Sequence, residues 1–406
     1  MTAFMHNDKK KRKTMVFIAI ALLMVLLTVT LAGCHQRADE TTDSIDGQAE
    51  ETHDFSVMFI NVGRADATLI QVDGLSYLID TGEKSSVPAL YAALEIMDVQ
   101  KLKAVFLTHT HGDHIGGMEA LADRYEIGTL YSAMISEDKK DGTNKIKELA
   151  AAFSTPHVQL AAGDKVELTP EIGFDVLGPL EYNNDDDNDN SLVLKLSING
   201  KTFLFTGDMQ FPEETTLLMA DVDLSADVLK VGNHGNPDAT SQEFAAAVSP
   251  EIAVIPTDTS VDEDSANERV VSALKGAEVF VTQDYPYGIL LTVDAGGKID
   301  VSDPRPEGNS AKIQIHELDK NAQTITLINN GEAADISGYF IFSENGSEVY
   351  VFPDGTYMQA GETISVACIG VQGDLIWDEK KVWKTKKEDT AVLYDRFGNE
   401  LSRKSQ

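Results

Sequence analysis

The residues with the clearest chemical potential form a short run of histidine and aspartate near position 110. His109, His111, Asp113 and His114 follow directly after the apolar segment 104–108. Alternate residues of an extended chain point the same way, so His109 and His111 can bind one metal ion, while the following turn brings Asp113 and His114 toward a second. Because functional loops concentrate at strand ends, this spacing predicts a metal site and not a solvated histidine-rich loop.

The elements that must position this run alternate between strand-like and helix-like segments, which indicates an α/β domain over residues 55–303. Two further strand-like segments end in Asp208 and His234, the same position that the histidine run occupies. Gly112, Gly116 and Gly117 are expected to let the backbone turn tightly around the site. We predict strands at 55–63, 67–72, 76–82, 104–108, 129–133, 165–168, 173–177, 191–198, 201–208, 228–235, 252–256 and 279–282, and helices at 86–97, 117–125 and 144–153.

An acidic loop contains aspartate at positions 185, 186, 187 and 189. The ligand spacing of an EF-type calcium loop is absent, so a solvated turn is favoured over a calcium site. The net charge of −33 lies mostly in the middle of the chain. Such a surface argues against tight, nonspecific binding of nucleic acid unless metal ions or a local basic patch offset it.

The amino-terminal 34 residues have the pattern of a secretory signal. Basic residues at 9–13 precede an apolar run at 15–31, which ends in Leu31-Ala-Gly-Cys34. This ending resembles a bacterial lipobox, which implies lipidation of Cys34 and an extracytoplasmic protein anchored to the cell membrane. An uncleaved transmembrane anchor is the alternative, with the same orientation. The acidic residues 35–54 are predicted to be a linker, and Cys368 has no intrachain disulfide partner if Cys34 is lipidated.

Six ordered motifs between residues 55 and 303 resemble the metallo-β-lactamase superfamily, and within it the hydrolase domain of the ComEC-type competence DNA-uptake family. The motifs lie at 59–66, 78–82, 108–117, 190–194, 205–208 and 229–235. The resemblance implies an αββα sandwich that binds two divalent metal ions, zinc or manganese. The implied ligands are His109 and His111 for the first ion, Asp113, His114 and His234 for the second, and Asp208 between them.

The resemblance also implies chemistry at a water shared by the two ions, with Asp113 and Asp80 as the candidate catalytic residues. Asp80 and Asp66 are interpreted as carboxylates that orient imidazoles, with a strand-end cap as the alternative for Asp80. The chain departs from the family pattern at Asn61, at Arg64-Ala65 (Gln-Gly in the family) and at 233–236 (His-His-Gly-Ser in the family).

No histidine is placed to complete the first metal site, and Asn190 is the nearest polar substitute. An amide oxygen suits manganese better than zinc, so we expect the first ion to bind more weakly and manganese to support more activity.

Residues 311–406 resemble a lamin-tail domain, which implies an all-β, immunoglobulin-like sandwich after a linker at 304–310. Short alternating strands with Gly and Asn turns support a sandwich independently. We expect residues 311–406 to fold alone and to bind a surface polymer or a protein, and residues 35–303 to retain hydrolytic activity on small substrates.

Together these features predict a cell-surface metal-dependent hydrolase, with a phosphodiesterase or nuclease acting on DNA or nucleotides as the favoured function. A hydrolase of another surface ester, such as phosphorylcholine on wall polymers, is one alternative. A catalytically decayed adhesion or scaffold lipoprotein is the other.

The lipid-anchor hypothesis predicts that Cys34→Ser prevents lipidation, because no other residue can replace the thiol. The variant should accumulate as uncleaved precursor or separate from mature lipoprotein on fractionation. Metabolic labelling with a lipid probe checks this, and labelling equal to that of the unchanged chain would place the anchor elsewhere.

Overall fold

A computed structural model describes residues 52–134, 144–183, 186–306 and 311–406. The predicted signal segment, Cys34 and nearly all of the linker 35–54 lie outside the described residues, as do Asp185 and positions 307–310 of the second predicted linker. Within the described ranges, no helix combines the length and the apolar character that crossing a membrane requires.

Strands of residues 52–306 form two sheets. In chain order they are β1 (Phe55–Ile60), β2 (Thr68–Val72), β3 (Leu75–Ile79), β4 (Leu102–Leu107), β5 (Ile127–Ala133), β6 (His157–Leu160), β7 (Lys165–Glu167), β8 (Gly173–Gly178), β9 (Val193–Ile198), β10 (Lys201–Phe205), β11 (Val228–Lys230), β12 (Ile252–Ile255), β13 (Glu278–Val281), β14 (Gly288–Val293) and β15 (Ile299–Ser302). The eight-stranded sheet has the order β15-β14-β1-β2-β3-β4-β5-β6, and the seven-stranded sheet has the order β13-β12-β11-β10-β9-β8-β7.

Five of the α-helices that the structure describes in this region begin at recognisable signals. The described α-helices are α1 (Val87–Ile96), α2 (Gly112–Ile115), α3 (Met118–Arg124), α4 (Lys145–Phe153), α5 (Phe211–Met219), α6 (Gln242–Val248) and α7 (Glu268–Ala273). The side chains of Asn144, Ser241 and Asn267 accept hydrogen bonds from the first turns of α4, α6 and α7, which satisfies amide groups that the helix leaves free. Proline lies in the first turn of α1 and α5, where its missing N–H costs nothing.

Apolar side chains divide this region into four layers. One buried cluster lies between the two sheets and includes Phe106 and Phe205, one from each sheet. A second cluster joins the eight-stranded sheet to α1, α3 and α4, and a third joins the seven-stranded sheet to α5, α6 and α7. The resulting order is helix, sheet, sheet, helix, so the predicted αββα layering is confirmed for this part of the chain.

Most predicted elements of this region are present. The helices predicted at 86–97, 117–125 and 144–153 correspond to α1, α3 and α4, and the predicted strands agree to within a few residues at their ends. Seven of the described helices and strands in this region were not predicted: β6, β14, β15, α2, α5, α6 and α7. Of these, β14 pairs antiparallel with β1 across most of the region, Ile60 opposite Gly288.

Residues 311–406 are rich in strands. The strands are β16 (Ile313–Asp319), β17 (Thr324–Asn329), β18 (Ala334–Asp335), β19 (Phe340–Ser343), β20 (Val349–Val351), β21 (Tyr357–Met358), β22 (Thr363–Cys368), β23 (Leu375–Trp377), β24 (Thr390–Tyr394) and β25 (Glu400–Ser405). They form four-stranded sheets of order β16-β17-β22-β23 and β20-β19-β24-β25, and β18 pairs with β21. Side chains from both larger sheets share one buried core, as expected for an all-β region.

The all-β region packs against α1 within one compact unit that spans Glu51–Gln406. Phe340 belongs to the same buried cluster as the helical face of the eight-stranded sheet. Its ring lies edge-on to Tyr91, with 5.8 Å between centroids, and stacks on Tyr394 at 5.1 Å. Arg396 forms an ion pair with Glu95 of α1. Phe340 therefore contributes apolar contact to both regions, and separate folding of residues 311–406 stays a prediction.

Replacing Phe340 by alanine should lower the free energy of unfolding by about 3–5 kcal/mol, the usual cost of a large cavity in a core. Tyr357→Ala is the matched control, because Tyr357 is 58% exposed and its loss should cost less than about 0.5 kcal/mol. Urea unfolding followed by circular dichroism measures both. Equal destabilisation by the two changes would mean that Phe340 is not buried against residues 52–306.

Candidate metal centre

Four strands of the two sheets deliver candidate site residues from their carboxyl ends. Asp80 follows β3, His109 follows β4, Asp208 follows β10, and His234 follows β11. The pairs β3–β4 and β10–β11 are parallel, so the ends within each pair lie side by side. The carboxyl ends of parallel strands are the usual place for ligands in α/β folds, which is why the sequence pattern identified these positions.

A buried cluster of four side chains lies at this edge: Asp66, His114, Asp208 and His234. Each offers one ligand atom, and these atoms all lie within 4.8 Å of one another. The Asp208 Oδ2 atom is 3.1 Å from His114 Nε2 and 3.3 Å from His234 Nε2. The Asp113 Oδ2 atom is also close to this point, at 3.5 Å from His234 Nε2. Two imidazoles and carboxylates therefore converge on one point.

The converging atoms lack hydrogen bonds within the described residues. His114 Nε2, His234 Nε2, Asp208 Oδ1 and Asp66 Oδ1 are buried without a partner of hydrogen-bonding geometry, while Asp66 Oδ2 forms an ion pair with Lys230. Burying a polar atom without a partner is costly, and native proteins seldom leave several such atoms facing one another. A divalent cation accepts lone pairs from imidazole nitrogen and carboxylate oxygen together, so this donor set fits a metal ion.

A second pair of imidazoles lies beside the cluster. His109 Nε2 and His111 Nδ1 are 3.0 Å apart, and the His109 and His114 ring centroids are 4.1 Å apart. Burial first, and then the neighbouring His114, hold the pKa of His109 well below its usual value. The neutral imidazole is the form that binds metal ions. The assignment of His109 and His111 to the predicted first ion stays a prediction.

Hydrogen bonds on the far side of the rings fix which nitrogen faces the centre. His114 Nδ1 donates to Asp80 Oδ2 at 2.8 Å, and His234 Nδ1 donates to the Pro256 carbonyl at 2.8 Å. The Asp80 carboxylate also accepts two hydrogen bonds from Thr108. The Thr108 amide donates to Oδ1 and its hydroxyl donates to Oδ2, each at 2.8 Å. Asp80 thus makes the contact required of a carboxylate that orients a ligand imidazole.

Opposite charges compensate one another inside the centre. Burial alone would lower the pKa of both imidazoles. Instead, Asp208 and Asp80 raise the pKa of His114 well above its usual value. Asp208 and Asp113 raise the pKa of His234 to about 10. Burial alone would raise the pKa of Asp208, and the two imidazoles hold it well below its usual value instead. Metal binding at such residues displaces protons from the imidazoles.

Lys230 adds a positive charge that the sequence analysis did not identify. It is buried at the end of β11, forms an ion pair with Asp66, and donates to the Gly207 carbonyl at 2.6 Å. Its Nζ atom is 3.8 Å from Asp208 Oδ1. A lysine inside the apolar strand segment that leads to His234 was the available signal, because lysine is rarely buried unless it is paired.

Asp66 also differs from its prediction. The sequence assigned it the same orienting role as Asp80, whereas the structure places its carboxylate among the atoms that converge on the cluster. Its Oδ2 atom is 3.7 Å from His114 Nδ1, while Asp80 Oδ2 is 2.8 Å from the same nitrogen. The ring is thus oriented by Asp80, and Asp66 is available either to a metal ion or to Lys230.

Two glycines are required at the site for a reason other than turning. A Cβ atom at Gly117 would lie 2.3 Å from the Thr81 carbonyl oxygen, and one at Gly116 would lie 2.4 Å from the Lys84 amide nitrogen. Their role is to let the histidine loop approach the chain after β3. No atom lies within 4 Å of a Cβ position at Gly112, so no close contact in the described residues requires glycine there.

Asn190 is engaged away from the imidazoles. Its Nδ2 donates to the Asn183 carbonyl and to Asp187 Oδ1, both at 3.1 Å, and its Oδ1 accepts from the Asn183 amide at 2.9 Å. The next residue, Ser191, contacts His109 Nδ1 at 3.3 Å. A ligand role for Asn190 stays a prediction, and it would require these hydrogen bonds to be given up.

The acidic loop is not the solvated turn that the sequence favoured. Asp187 and Asp189 are 3% and 2% exposed. Asp187 Oδ2 accepts from the amide and hydroxyl of Thr110, at 2.9 and 2.6 Å, and Asp189 Oδ1 accepts from the Gln210 amide at 3.1 Å. Both carboxylates hold the loops that carry His109, His111 and Asp208, so this segment supports the centre structurally.

Comparison with known proteins agrees with this geometry. Residues 60–258 match the sequence model of the metallo-beta-lactamase superfamily. The chain is 31% identical to ComE operon protein 3 of Bacillus subtilis over 43% of its own length and 22% of the relative. It is 29% identical to Competence protein ComA of Neisseria gonorrhoeae over 51% of its own length and 28% of the relative.

A third relative is the anti-Pycsar protein Apyc1 of Saccharibacillus brassicae, 30% identical over 38% of this chain and 64% of the relative. The chain thus spans about a quarter of the length of the two competence relatives, as the 22% and 28% coverages show. The matched residues have the metallo-beta-lactamase α/β fold, and the match supports the prediction of a metal-dependent hydrolase at the superfamily level.

Metal titration separates the roles of His114 and Asn190. His114→Ala removes a converging ligand, so it should abolish tight binding of zinc or manganese to the cluster. Asn190→Ala should lower the free energy of unfolding by about 1–3 kcal/mol, the cost of a broken buried hydrogen-bond set, and leave metal affinity within about threefold. Calorimetric titration of chelator-treated protein measures the metal affinity of both variants, and urea unfolding measures the stability of Asn190→Ala. A tenfold or larger loss at the weaker site in Asn190→Ala would restore Asn190 as a ligand.

Proposed function

Starting from a metallo-beta-lactamase-type domain at residues 60–258, we propose that this protein is a cell-surface metal-dependent phosphodiesterase that acts on DNA or nucleotides. The observation that carries the proposal is the convergence of unpartnered imidazole and carboxylate atoms on one buried point. An intact ligand set argues against a decayed site. The competence relatives support a nucleic-acid substrate, and residues 1–34 support the surface location.

The proposal places two ions in separate parts of the centre. His114, His234 and Asp208 would hold one ion, with Asp113 and Asp66 adjacent, and His109 with His111 would hold the other. Paired divalent ions supply Lewis acidity and a nucleophile at neutral pH, the chemistry that ester hydrolysis requires. Zinc and manganese both suit these ligands.

The protein's own groups divide into positioning and reacting roles. Both Asp80 oxygens are occupied by Thr108 and His114, so Asp80 acts by holding the ring of His114. Asp113 is different, because its side chain is 19% exposed. Burial alone would raise its pKa, but His234 and His114 lower the pKa well below the usual value, so this carboxylate is ionised. Asp113 is therefore the site carboxylate that can contact a substrate.

Backbone conformation contributes to the same rigidity. His234 has φ 52° and its neighbour Asn233 has φ 42°, both in the left-handed region that non-glycine residues seldom occupy. Strain of this kind persists where surrounding contacts over-determine the conformation, and it clusters at functional sites. Here the conformation aims His234 Nε2 at Asp208 while Nδ1 reaches the Pro256 carbonyl.

The all-β region is proposed to be a lamin-tail-like, immunoglobulin-like sandwich that binds a surface polymer or a protein. Its two four-stranded sheets around one core support the sandwich architecture. Its packing on α1 through Phe340 would hold any bound partner at a constant place relative to the hydrolase region.

A substrate panel tests the proposed function. Residues 35–406, loaded with zinc or manganese, should hydrolyse linear DNA, cyclic dinucleotides or bis-p-nitrophenyl phosphate and should leave a β-lactam and a phosphorylcholine ester intact. Asp208→Asn should reduce turnover by about 100-fold or more, because it removes a buried negative charge that would help to hold the metal ions. Asp354→Asn is the matched control, since Asp354 is an exposed aspartate of the all-β region.

The outcomes separate the alternatives. Turnover of the β-lactam alone would exclude the phosphodiesterase, and turnover of a phosphorylcholine ester alone would favour the other surface hydrolase. A protein that binds neither metal and cleaves nothing would be a scaffold.

A further inference from the structure

Arg64 lies at the rim of the metal centre, in the loop between β1 and β2. Its Nε donates to Asp262 Oδ2 at 2.8 Å, and its Nη1 is 3.8 Å from Asp113 Oδ2. The side chain is 43% exposed, whereas that of Asp113 is 19% exposed. A guanidinium therefore stands between solvent and the site carboxylate that can contact a substrate.

Two lysine or arginine side chains form ion pairs with the centre's carboxylates Asp66, Asp113 and Asp208 in the described part of the chain. Lys230 is one, but its side chain is 4% exposed and is committed to Asp66 and the Gly207 carbonyl. Arg64 is the other, and within the described residues Nε supplies its one hydrogen bond. Within the described residues the terminal nitrogens of Arg64 make no hydrogen bond, and Nη1 has a 3.8 Å ion-pair contact with Asp113, so both nitrogens can still donate to an anion.

The backbone around Arg64 is held in place. The Asn61 side chain donates to the Tyr285 carbonyl at 3.0 Å, and the Asp66 amide donates to the Asp113 carbonyl at 3.1 Å. These contacts tie both ends of the loop, one of them directly to the metal-ligand segment. The guanidinium is thus presented from a fixed base, which reduces the entropy lost when it binds a ligand.

Asp262 accepts hydrogen bonds from two side chains, Arg64 and Asn236, at positions where this sequence departs from the ComEC-type pattern. Besides Arg64, it accepts from Asn236 Nδ2 at 3.2 Å. Asn236 follows His234 by two residues, so Asp262 links the Arg64 loop to the loop that carries a candidate ligand. The two departures form one physical cluster, which is expected if they act together.

We propose that Arg64 binds a non-bridging oxygen of an anionic phosphate substrate, with Asp262 holding the guanidinium in position. A guanidinium matches phosphate in geometry and charge and stays charged at any working pH. In a chain of net charge −33, a cation at the rim of the site adds to the attraction that bound metal ions would exert on a phosphate. This inference rests on the proposed function and specifies how its substrate is recognised.

The test measures binding apart from turnover. Thymidine 5′-monophosphate, which has no phosphodiester bond to cleave, is titrated by calorimetry into the zinc- or manganese-loaded chain 35–406. Arg64→Gln should weaken its binding by about 10- to 100-fold, the usual effect of losing a charge-assisted contact, and Arg64→Lys should weaken it less. The Michaelis constant for bis-p-nitrophenyl phosphate should rise in parallel, with a smaller change in turnover number.

Asp262→Asn distinguishes recognition from a structural strap. It breaks the ion pair but keeps the arginine charge, so nucleotide binding should weaken by less than about threefold. If Arg64 only ties two loops together, both variants will behave alike, and the proposal is overturned. Arg305→Gln controls for loss of a surface charge, because Arg305 is 68% exposed and pairs with Asp303 in the segment after β15. Metal titration should be unchanged in all of these variants.

Failure of this inference and failure of the proposed function give different results. If the unchanged chain hydrolyses phosphodiesters and Arg64→Gln binds the nucleotide equally well, the role of Arg64 is wrong and the function stands. If the unchanged chain hydrolyses no phosphodiester yet loses nucleotide binding in Arg64→Gln, the anion contact stands and the function is wrong.

Discussion

Charge compensation in a buried centre is the constraint on which the rest of this structure depends. Asp66, Asp80 and Asp208 are each at most 3% exposed, and ionised carboxylates in such surroundings require matching positive charge. His114, His234 and Lys230 provide it in the chain itself, and a divalent cation would provide it more compactly. The strand ends, the left-handed turn at His234 and the close approach at Gly117 all bring these groups to one point. Substrate chemistry at the centre follows from that arrangement.

The hydrogen bonds around the centre form a hierarchy that explains its rigidity. Asp80 joins the ends of β3 and β4 through Thr108 and orients His114. Asp187 and Asp189 then hold the neighbouring loops from behind. Each carboxylate saturates backbone donors that would otherwise be buried without partners, so these acids stabilise the fold as well as the site. The acidic composition of this region therefore reflects structural and chemical needs together.

Local patterns in the sequence predicted most of the side chains that lie together at the candidate site, and long-range contacts account for what was missed. The spacing from His109 to His114 is a property of one loop, and Asp208 and His234 stand at strand ends that apolar runs identify. The pairing of β14 with β1 depends on residues more than two hundred positions apart, which no local pattern records. Burial of Asp187 and Asp189 depends on donors from Thr110 and Gln210, so charge alone suggested a solvated turn. Asn190 matched a family position, yet its amide is occupied by Asn183 and Asp187.

Anomalous diffraction from crystals grown with zinc or manganese tests the central claim most directly. The account predicts an anomalous peak among His114, Asp208 and His234, and a second, weaker peak beside His109 and His111. Diffraction recorded on both sides of the metal absorption edge assigns the element. Crystals that contain the metal at surface sites but show no peak within this cluster, with its imidazoles hydrogen-bonded to the carboxylates instead, would contradict the account.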